Sequence, residues 1–510
     1  MDRRAFLQTS TLLAAAALLD GSDPEVAAVT ANADLADQPM IGIQVGAVSF
    51  VDEGTDRVLA GFQEMADINT LFLATFTYGR GIAGRQIRGS QLPDHGRQEY
   101  DDNFHGGNFA TPHLQYYRHT TIAPEKAPDH PDYDVIADVL PAARRHNMKV
   151  ICWFEDVFRR DIPGFDQAVE IDVHGKPAAT ACLRNPNVRN FWLGLVEDYL
   201  RSYEVDGLMW GSERQGPLDN ALTASHGGGT DRTIACFCQY CLQAARQDGI
   251  KIDRARAGFL ELERWTTSLR GGQKPTDGAF VTFWRLLLKY PELLYWETLW
   301  NEGLNDTYRA MYALAHQIAP AKGIGWHIWH NNSFSPFYRA EQDYAEFSKY
   351  SDFLKVVMYN NCGGPRLAQY VRNVQSTLFA DLSPQQVLDF TYSVQQYHEA
   401  SLDRLPQAGL SADYVRRETA RAVAGVAPSV KIWPGIDIDI PTGANDKKTQ
   451  PDDVYQSVKA AFQAGAQGVL LSRKYSEMKL ANLSAAGRAI RELKSAKVLS
   501  LSYGPMATFT

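Results

Sequence analysis

Eight short apolar segments recur along the chain, and they constrain its fold more than any other feature. They are 41–50, 68–76, 149–154, 207–211, 323–329, 353–359, 431–439 and 468–472. Helical patterns precede several of them, at 134–145, 188–203, 306–318 and 452–464. Near-continuous apolar strands that alternate with helices are typical of a parallel sheet covered on both faces. The sequence therefore predicts an α/β fold, with a doubly wound open sheet as the alternative to a closed barrel.

Eight strand–helix units favour the closed form, a (β/α)8 TIM barrel with long insertions after strands 2 and 4. The two long connections are 78–134 and 212–322. Both leave the carboxyl ends of strands, the side on which barrel enzymes carry their active sites. No repeat or low-complexity linker divides the chain, so we predict one barrel domain over 38–495 and a C-terminal tail over 496–510.

The N-terminus has the pattern of an export signal. A basic start, MDRRAFLQ, precedes an apolar run at 11–19 and a small-residue stretch ending at 31–33. Such a run is too short to span a bilayer, and it predicts a signal peptide over 1–33. Arg3 and Arg4, followed by Phe6 and Leu7, resemble a twin-arginine signal. No later apolar run is long enough to span a membrane, so we expect a periplasmic or secreted protein.

Composition excludes several classes of function. The net charge of −8 and the absence of a Lys/Arg run argue against nucleic acid as a partner. Six cysteines are few for an exported chain, which argues against a disulfide framework. No P-loop, dinucleotide fingerprint or G-x-S-x-G elbow is present. The sequence thus predicts no cofactor for catalysis.

The segment KIWPGIDID carries two acidic residues on one face of a predicted strand. Alternation puts Asp437 and Asp439 with Trp433 and Gly435, opposite the isoleucines. Two aspartates inside a barrel are costly to bury unpaired, so we expect them near the open mouth. A structural pairing with a lysine or arginine is the alternative.

Polar residues also end the other predicted strands. Glu213 ends the fourth strand, and it is the candidate for acid/base catalysis. The candidates for substrate binding are Glu155, Asp156, His327, His330, Tyr359, Asn360, Trp433, Arg473 and Tyr475. Sugars are bound by this mixture of aromatic faces, amides and carboxylates, and a carboxylate pair is what glycoside hydrolysis requires. A carbohydrate is therefore the predicted substrate.

The loop after the fourth strand carries a C-x-C-x-x-C cluster, made of Cys236, Cys238 and Cys241. This spacing is typical of zinc ligands, and three sulfurs indicate a closed, structural site rather than a catalytic one. The fourth ligand is left open: Cys152, Cys182 or a histidine such as His226 would complete the set.

The segment 210–241 resembles family 42 β-galactosidases, where a fourth-strand W…N-E supplies the acid/base and a C-x-C-x-x-C zinc cluster follows. This resemblance implies that Glu213 in W-G-S-E is the acid/base. The stretches HNMKVICWFE, RNPNVRNF and YEVDGL are similar to exported family-10-like glycosyl hydrolases. Two positions depart from the pattern: Ser212 replaces the asparagine, and Asp437 and Asp439 stand where the clan uses glutamate as nucleophile.

The leading hypothesis is an exported glycoside hydrolase with Glu213 as acid/base and Asp437 or Asp439 as the second carboxylate. One alternative is a hydrolase or lyase of acidic sugars, in which His327 or His330 acts with an aspartate and Arg473 holds the substrate carboxylate. Another is a barrel that binds a saccharide without cleaving it. The sugar, the linkage, the stereochemical outcome and the oligomeric state stay open.

Overall fold

Parallel strands form the centre of the fold. The computed structural model describes residues 38–79, 82–227 and 233–502. The predicted signal over 1–33 and residues 503–510 of the predicted tail lie outside the described residues. The strands of the central sheet are β1 Met40–Gly46, β2 Thr70–Thr77, β3 Gly107–Asn108, β4 Lys149–Glu155, β7 Gly207–Gly211, β8 Gly323–Ile328, β9 Phe353–Val356, β10 Lys431–Ile432, β11 Gly435–Asp437 and β12 Gly468–Ser472. A separate hairpin consists of β5 Val169–Ile171 and β6 Pro177–Ala181.

The central sheet is parallel apart from its pairing with β3, and it has the order β10-β9-β8-β7-β4-β2-β1-β12-β11. Its two ends, β10 and β11, are joined by only Trp433 and Pro434. The backbone N–H of Met358, just after β9, donates to the Gly435 carbonyl at 3.1 Å. The sheet therefore curls round, and the fold is a barrel-like α/β fold, as predicted.

Helices surround the sheet and fill the connections. They are α1 Ala47–Glu53, α2 Thr55–Ala66, α3 Val135–Arg145, α4 Pro186–Ser202, α5 Pro217–Leu222, α6 Gln239–Gln247, α7 Ile252–Arg270, α8 Ala279–Lys289, α9 Glu292–Ile318, α10 Pro336–Glu341, α11 Tyr344–Phe347, α12 Asn360–Gln375, α13 Pro384–Gln395, α14 Leu405–Ala408, α15 Ala412–Gly425, α16 Pro451–Gln463 and α17 Leu480–Ser502. Short 3-10 turns are Leu114–Tyr116, Phe165–Gln167, His330–Ser333, Ser348–Tyr350 and Tyr475–Glu477. Within the described ranges, no helix has the length and apolar character needed to cross a membrane.

Several predicted strand boundaries are wrong. The first apolar run continues to residue 50, but β1 ends at Gly46 and the rest of the run lies in α1. An unbroken apolar run does not distinguish a buried strand from a buried helix turn. The seventh run is divided into β10 and β11 around Pro434, which lacks the N–H that a continuous strand would donate.

Aromatic rings fill the interior of the sheet near the amino ends of its strands. The Trp433 ring stacks on Phe353, with centroids 4.2 Å apart, and meets Phe72 edge-on at 6.0 Å. Glycines on neighbouring strands make room for these rings. A Cβ at Gly325 would lie 2.4 Å from the Phe353 ring, and one at Gly42 would lie 2.8 Å from Phe72. The interior is thus closed at this end, and the carboxyl ends of the strands remain for a site.

Replacing Gly325 by alanine should destabilise the fold by about 1–3 kcal/mol, because the added methyl overpacks the Phe353 ring. Chemical denaturation measures the free energy of unfolding. The matched control is Gly61→Ala in α2, where the new Cβ has only the Met65 side chain end within 4 Å, at 3.5 Å. That control should be neutral or stabilising by up to about 1 kcal/mol. Equal effects of the two changes would contradict the packing described above.

Candidate functional site

The carboxyl ends of four neighbouring strands bring charged side chains together. Glu155 is the last residue of β4 and pairs in register with Gly211 of β7. Gly211 pairs with His327 of β8, which in turn pairs with Lys355 of β9. Glu213 follows two residues after the end of β7. Parallel pairing therefore places these four polar residues along one rim of the sheet, which we call the mouth.

A chain of hydrogen bonds connects three of them, and we call it the relay. The His327 Nε2 atom lies 2.8 Å from Oε1 of Glu213, and Lys355 Nζ lies 3.1 Å from His327 Nδ1. Lys355 also donates to the Tyr359 hydroxyl. Because an ammonium group can only donate, the hydrogen-bond network assigns the proton of a neutral His327 ring to Nε2, from which it is donated to Glu213.

The charge balance at the mouth favours an ionised Glu213. Burial of the carboxylate end raises its pKa, but the hydrogen bond from His327 and the charge of Arg366 outweigh this and lower the pKa below its usual value. About half of the side chain, 53%, is nevertheless open to solvent. Glu213 is therefore both charged and reachable by a ligand.

The pKa of Glu155 is shifted in the opposite direction. Burial first, and then the negative charge of Glu213, raise its pKa to about 8. The charge of Arg473 and a 3.4 Å hydrogen bond from Thr77 oppose the rise without cancelling it. At neutral pH Glu155 is thus mainly protonated while Glu213 is ionised. Two carboxyl groups with pKa values moved apart are the pattern of an acid paired with a nucleophile or base.

Lys355 is the first of two site residues that the sequence analysis missed. It is fully buried, and burial lowers its pKa to about 7 against the opposing charges of Glu213 and Glu155. A lone lysine inside the apolar segment FLKVV was the available signal, because buried lysines are rare unless they are paired. Arg366 in α12 was also missed. Its guanidinium lies 3.1 Å from His330 Nδ1 and contributes to the field at Glu213.

The hydrogen bonds of Asp437 go to groups outside the relay. Its side chain is fully buried, and its oxygens accept from the backbone N–H groups of Cys362 and Ile440, each at 3.0 Å. Burial raises its pKa. The carboxyl group ties the end of β11 to the first turn of α12. Asp439 is half-buried, and burial raises its pKa to about 7 against the charge of Lys479.

Asp156 and His330 are held by other side chains. Asp156 accepts from Ser212 at 2.9 Å and from Arg214 at 3.1 Å, so it supports the loop that carries Glu213. His330 is fully buried and makes a 3.1 Å hydrogen bond with the Tyr414 hydroxyl. Its ring contacts Tyr359, so it lies behind the relay.

The remaining candidates divide between the mouth and the core. Tyr359 accepts a hydrogen bond from Lys355 of the relay, and the buried Asn360 beside it keeps an unpaired Oδ1 atom. Arg473 forms an ion pair with Glu477 and acts on Glu155 through its charge. Tyr475 stacks on His95 at 4.0 Å, which makes it part of the packing. Trp433 belongs to the aromatic interior at the opposite end of the strands.

The three predicted zinc cysteines are joined by Cys182, which follows β6. The four sulfur atoms all lie within 4.8 Å of one another. Cys182 Sγ lies 3.6 Å from that of Cys241 and 3.4 Å from that of Cys238. A zinc ion with Zn–S bonds of about 2.3 Å in tetrahedral geometry needs sulfurs roughly 3.8 Å apart. The four thiols therefore fit such an ion with only a small expansion.

A surface cavity of about 390 Å³ lies elsewhere, in the connection after β2. Arg85, His105, Asp129 and His130 are among the residues that line it. None of the mouth residues is part of it. The mouth is the stronger candidate for an active site, because a carboxyl group with a raised pKa and one with a lowered pKa meet there at the ends of parallel strands.

The sequence matches no protein-family model and no curated protein. The structure is similar to a β-galactosidase from the Antarctic haloarchaeon Halorubrum lacusprofundi, with a TM-score of 0.50 and 13% identity over 89% of this chain and 58% of the galactosidase. It is also similar to α-L-fucosidase isoenzyme 2 from Paenibacillus thiaminolyticus, with a TM-score of 0.45 and 12% identity over 90% of this chain.

This chain spans 50% of the fucosidase. A third similar structure is the PgaB (BpsB) glycoside hydrolase domain from Bordetella bronchiseptica, with a TM-score of 0.43 and 11% identity over 90% of this chain and 98% of that domain. These structural neighbours are glycoside hydrolases. At such identities, the likeness to the galactosidase supports the barrel-like fold alone.

Replacing Lys355 by methionine should raise the pKa of His327 toward its ordinary value. Burial lowers the pKa of His327 first, and the positive charge of Lys355 lowers it further, so removal of the charge acts upward. A histidine NMR titration measures the change. Lys349→Met, on the surface, is the control and should leave His327 unchanged. A fall in the pKa of His327 in the Lys355 variant would contradict the relay geometry.

Proposed function

We propose that this protein is an exported glycoside hydrolase in which Glu155 and Glu213 form the carboxylate pair. The observation that carries the proposal is the opposite direction of their pKa shifts at the mouth of one sheet. The similarity to glycoside hydrolase structures agrees with it. We count β10 and β11 as one interrupted strand, which gives a barrel of eight, with the long connections after the second and fourth.

The charge states assign the two roles. Glu155, protonated at neutral pH, donates its proton to the glycosidic oxygen as the bond to the leaving sugar breaks. Glu213, held ionised by His327, attacks the anomeric carbon directly or takes a proton from an attacking water. The separation of the two carboxyl groups during the reaction decides between these routes. The sequence alone predicted Glu213 as the acid/base. We instead propose Glu155 as the acid and Glu213 as the nucleophile or base.

Lys355 acts through His327, and Tyr359 holds Lys355 by accepting its hydrogen bond. The lysine fixes the ring so that Nε2–H faces Glu213. We infer a structural role for Asp437, because its oxygens are taken by backbone amides. Asp439 is the alternative second carboxylate, since its pKa is also raised.

An acidic sugar is the second candidate substrate. Arg366 lies close enough to Glu213 to lower its pKa, and a guanidinium at that position suits a substrate carboxylate. Uronate-bearing glycosides therefore belong in the substrate screen beside neutral ones. Cleavage restricted to them would favour this candidate.

Glu213→Gln should abolish turnover in a screen of aryl glycosides, and Glu155→Gln should reduce kcat/KM by roughly 10²–10⁴-fold for poor leaving groups. The loss should be smaller for good leaving groups, which need no protonation. In the wild-type protein kcat/KM should fall as pH rises through about 8, because Glu155 is active when protonated and its pKa is raised to that value. Glu155→Gln should remove this alkaline limb.

Asp439→Asn is the matched control for that experiment and should keep the alkaline limb. Full activity of the Glu213 variant would exclude Glu213 from catalysis. Loss of activity in Asp439→Asn alone would instead make Asp439 the second carboxylate.

We also propose that Cys182, Cys236, Cys238 and Cys241 hold a structural zinc ion. The sulfur spacing fits, and four thiolates leave no open position for substrate. The ion would join the β5–β6 hairpin to the loop after α5, where Phe237 already donates to the Ile171 carbonyl at 2.7 Å.

The purified protein should contain one zinc ion per chain by elemental analysis. Cys182→Ser should lose most of this zinc and unfold at a lower temperature, because one of the four bonds is removed. Cys362→Ser, a buried cysteine outside the cluster, is the control and should keep the metal. Full zinc content in the Cys182 variant would contradict the four-sulfur site.

Export is part of the same proposal. The basic start, the short apolar run and the small-residue stretch within 1–33 support it, and the paired arginines favour the twin-arginine route. A protein that folds before export would acquire its zinc in the cytoplasm, where thiols are kept reduced.

A further inference from the structure

A second cluster of ligand-type side chains lies near the mouth and has no role in the proposed reaction. It consists of Asp219 in α5, Glu297 in α9 and Glu341 at the end of α10, and we call it the acidic cluster. One carboxylate oxygen from each residue lies within 4.8 Å of the others. The three residues come from segments far apart in the chain, so the fold itself brings them together.

The acidic cluster is buried and poorly satisfied. Asp219 is 2% exposed and Glu297 is 5% exposed. One oxygen of each of the three carboxyl groups has no hydrogen-bond partner. Across the ranges 38–79, 82–227 and 233–502, no lysine or arginine forms an ion pair with them. Burial of three carboxylates without compensation is too costly for a stable fold, so protons or a cation must neutralise them.

Asn301 points to a cation rather than to protons alone. It follows Glu297 by one helical turn in α9, and its side chain is 8% exposed. Its Nδ2 atom donates to the backbone carbonyl of Glu297 at 3.2 Å, and its amide lowers the pKa of Glu341, so the side chain lies beside the acidic cluster. Its Oδ1 atom has no partner. A buried, neutral oxygen donor beside three carboxylates is a typical part of a hard-cation site.

The backbone leaves space for this arrangement. Leu218 N–H donates to Glu297 Oε2 at 2.6 Å, which fixes one oxygen of Glu297. A Cβ at Gly216 would lie 2.0 Å from the other oxygen, so only glycine allows Glu297 to approach α5. The second oxygen, Oε1, is the one without a hydrogen-bond partner.

We propose that Asp219, Glu297, Glu341 and Asn301 form a binding site for a Ca²⁺ ion. Calcium takes six to eight oxygen ligands in flexible geometry, and bidentate carboxylates with water complete the number from these four residues. The all-oxygen set disfavours zinc, which prefers sulfur and nitrogen. Magnesium demands stricter octahedral geometry and retains more water.

The site would anchor the segment that follows Glu213. Glu213 and Asp219 are six positions apart, and α5 contains Asp219. A cation would fasten α5 to α9, which lies later in the same connection, and to α10, which follows β8. Burial, and then repulsion from the neighbouring carboxylates, raise the pKa of Asp219 and Glu297, and burial raises that of Glu341 to about 7. Shared protons are the competing means of neutralisation.

Calcium titration of the full mature chain distinguishes a bound Ca²⁺ ion from shared protons as the means of neutralising the acidic cluster. The protein is treated with EGTA, dialysed, and titrated separately with CaCl₂, MgCl₂ and MnCl₂ by calorimetry, with the unfolding temperature measured at each end point. We expect saturable binding of one Ca²⁺ and a rise of several degrees in unfolding temperature, because binding to the folded state alone stabilises it. Glu341→Gln should weaken calcium binding by at least tenfold.

Glu302→Gln, a half-buried acid on the same helix α9, is the control and should bind calcium as the wild type does. If Glu341→Gln does not fold, Asn301→Leu replaces it and should also weaken binding. Absence of saturable calcium binding in the wild type would overturn the proposal and leave shared protons. Calcium affinity unchanged in both variants would also overturn the proposal, as would tighter binding of Mg²⁺ or Mn²⁺ than of Ca²⁺. None of these outcomes depends on glycoside hydrolysis.

Discussion

Parallel pairing of β4, β7, β8 and β9 is the constraint on which the site depends. In-register neighbours along these strands are Glu155, Gly211, His327 and Lys355. A slip of one residue in any pair would turn one of these side chains to the outer face. The absence of a side chain at Gly211 matters as well, since a Cβ there would lie 2.9 Å from the His327 side chain. The relay is therefore a consequence of strand register.

Burial then gives these groups their chemistry. The same apolar surroundings raise the pKa of Glu155 and lower that of Lys355, because both lose the solvation of their charged forms. Glu213 escapes this outcome through its hydrogen bond to His327 and its opening to solvent. One small region thus holds an acid that keeps its proton and a carboxylate that keeps its charge. This division is what cleavage of a glycosidic bond needs.

The connection after β7 is long, and several anchors hold it. Arg214 binds Asp156 at 3.1 Å and Glu170 at 2.6 Å, next to Glu213 in the chain. Cys236, Cys238 and Cys241 lie further along the same connection, and Cys182, before β7, meets them from outside it. Asp219 and Glu297 of the acidic cluster also lie in this connection, whereas Glu341 follows β8. Catalytic groups on loops need support from rigid elements, because small displacements are costly for the reaction. The ion pairs of Arg214 give that support directly after Glu213.

Local patterns in the sequence were enough to predict most of the strands and the position of Glu213. The segments that became β4, β7, β8 and β12 were predicted within one residue or so, since an apolar run bounded by helices has few other uses in such a chain. The three cysteines were predicted by their spacing alone. Cys182 could only be left as one of several fourth ligands.

The partners of Glu213 were decided by tertiary structure. Asp437 and Asp439 share a face with Trp433 in the sequence pattern. In the structure, however, backbone amides hold Asp437, and Trp433 packs among aromatic rings. The sequence does not show which residue on a neighbouring strand will face a given side chain. Nor does it show how deeply a lysine such as Lys355 will be buried. By itself it determined the type of fold and the carboxylate at one strand end, whereas long-range pairing and burial decided which groups act on that carboxylate.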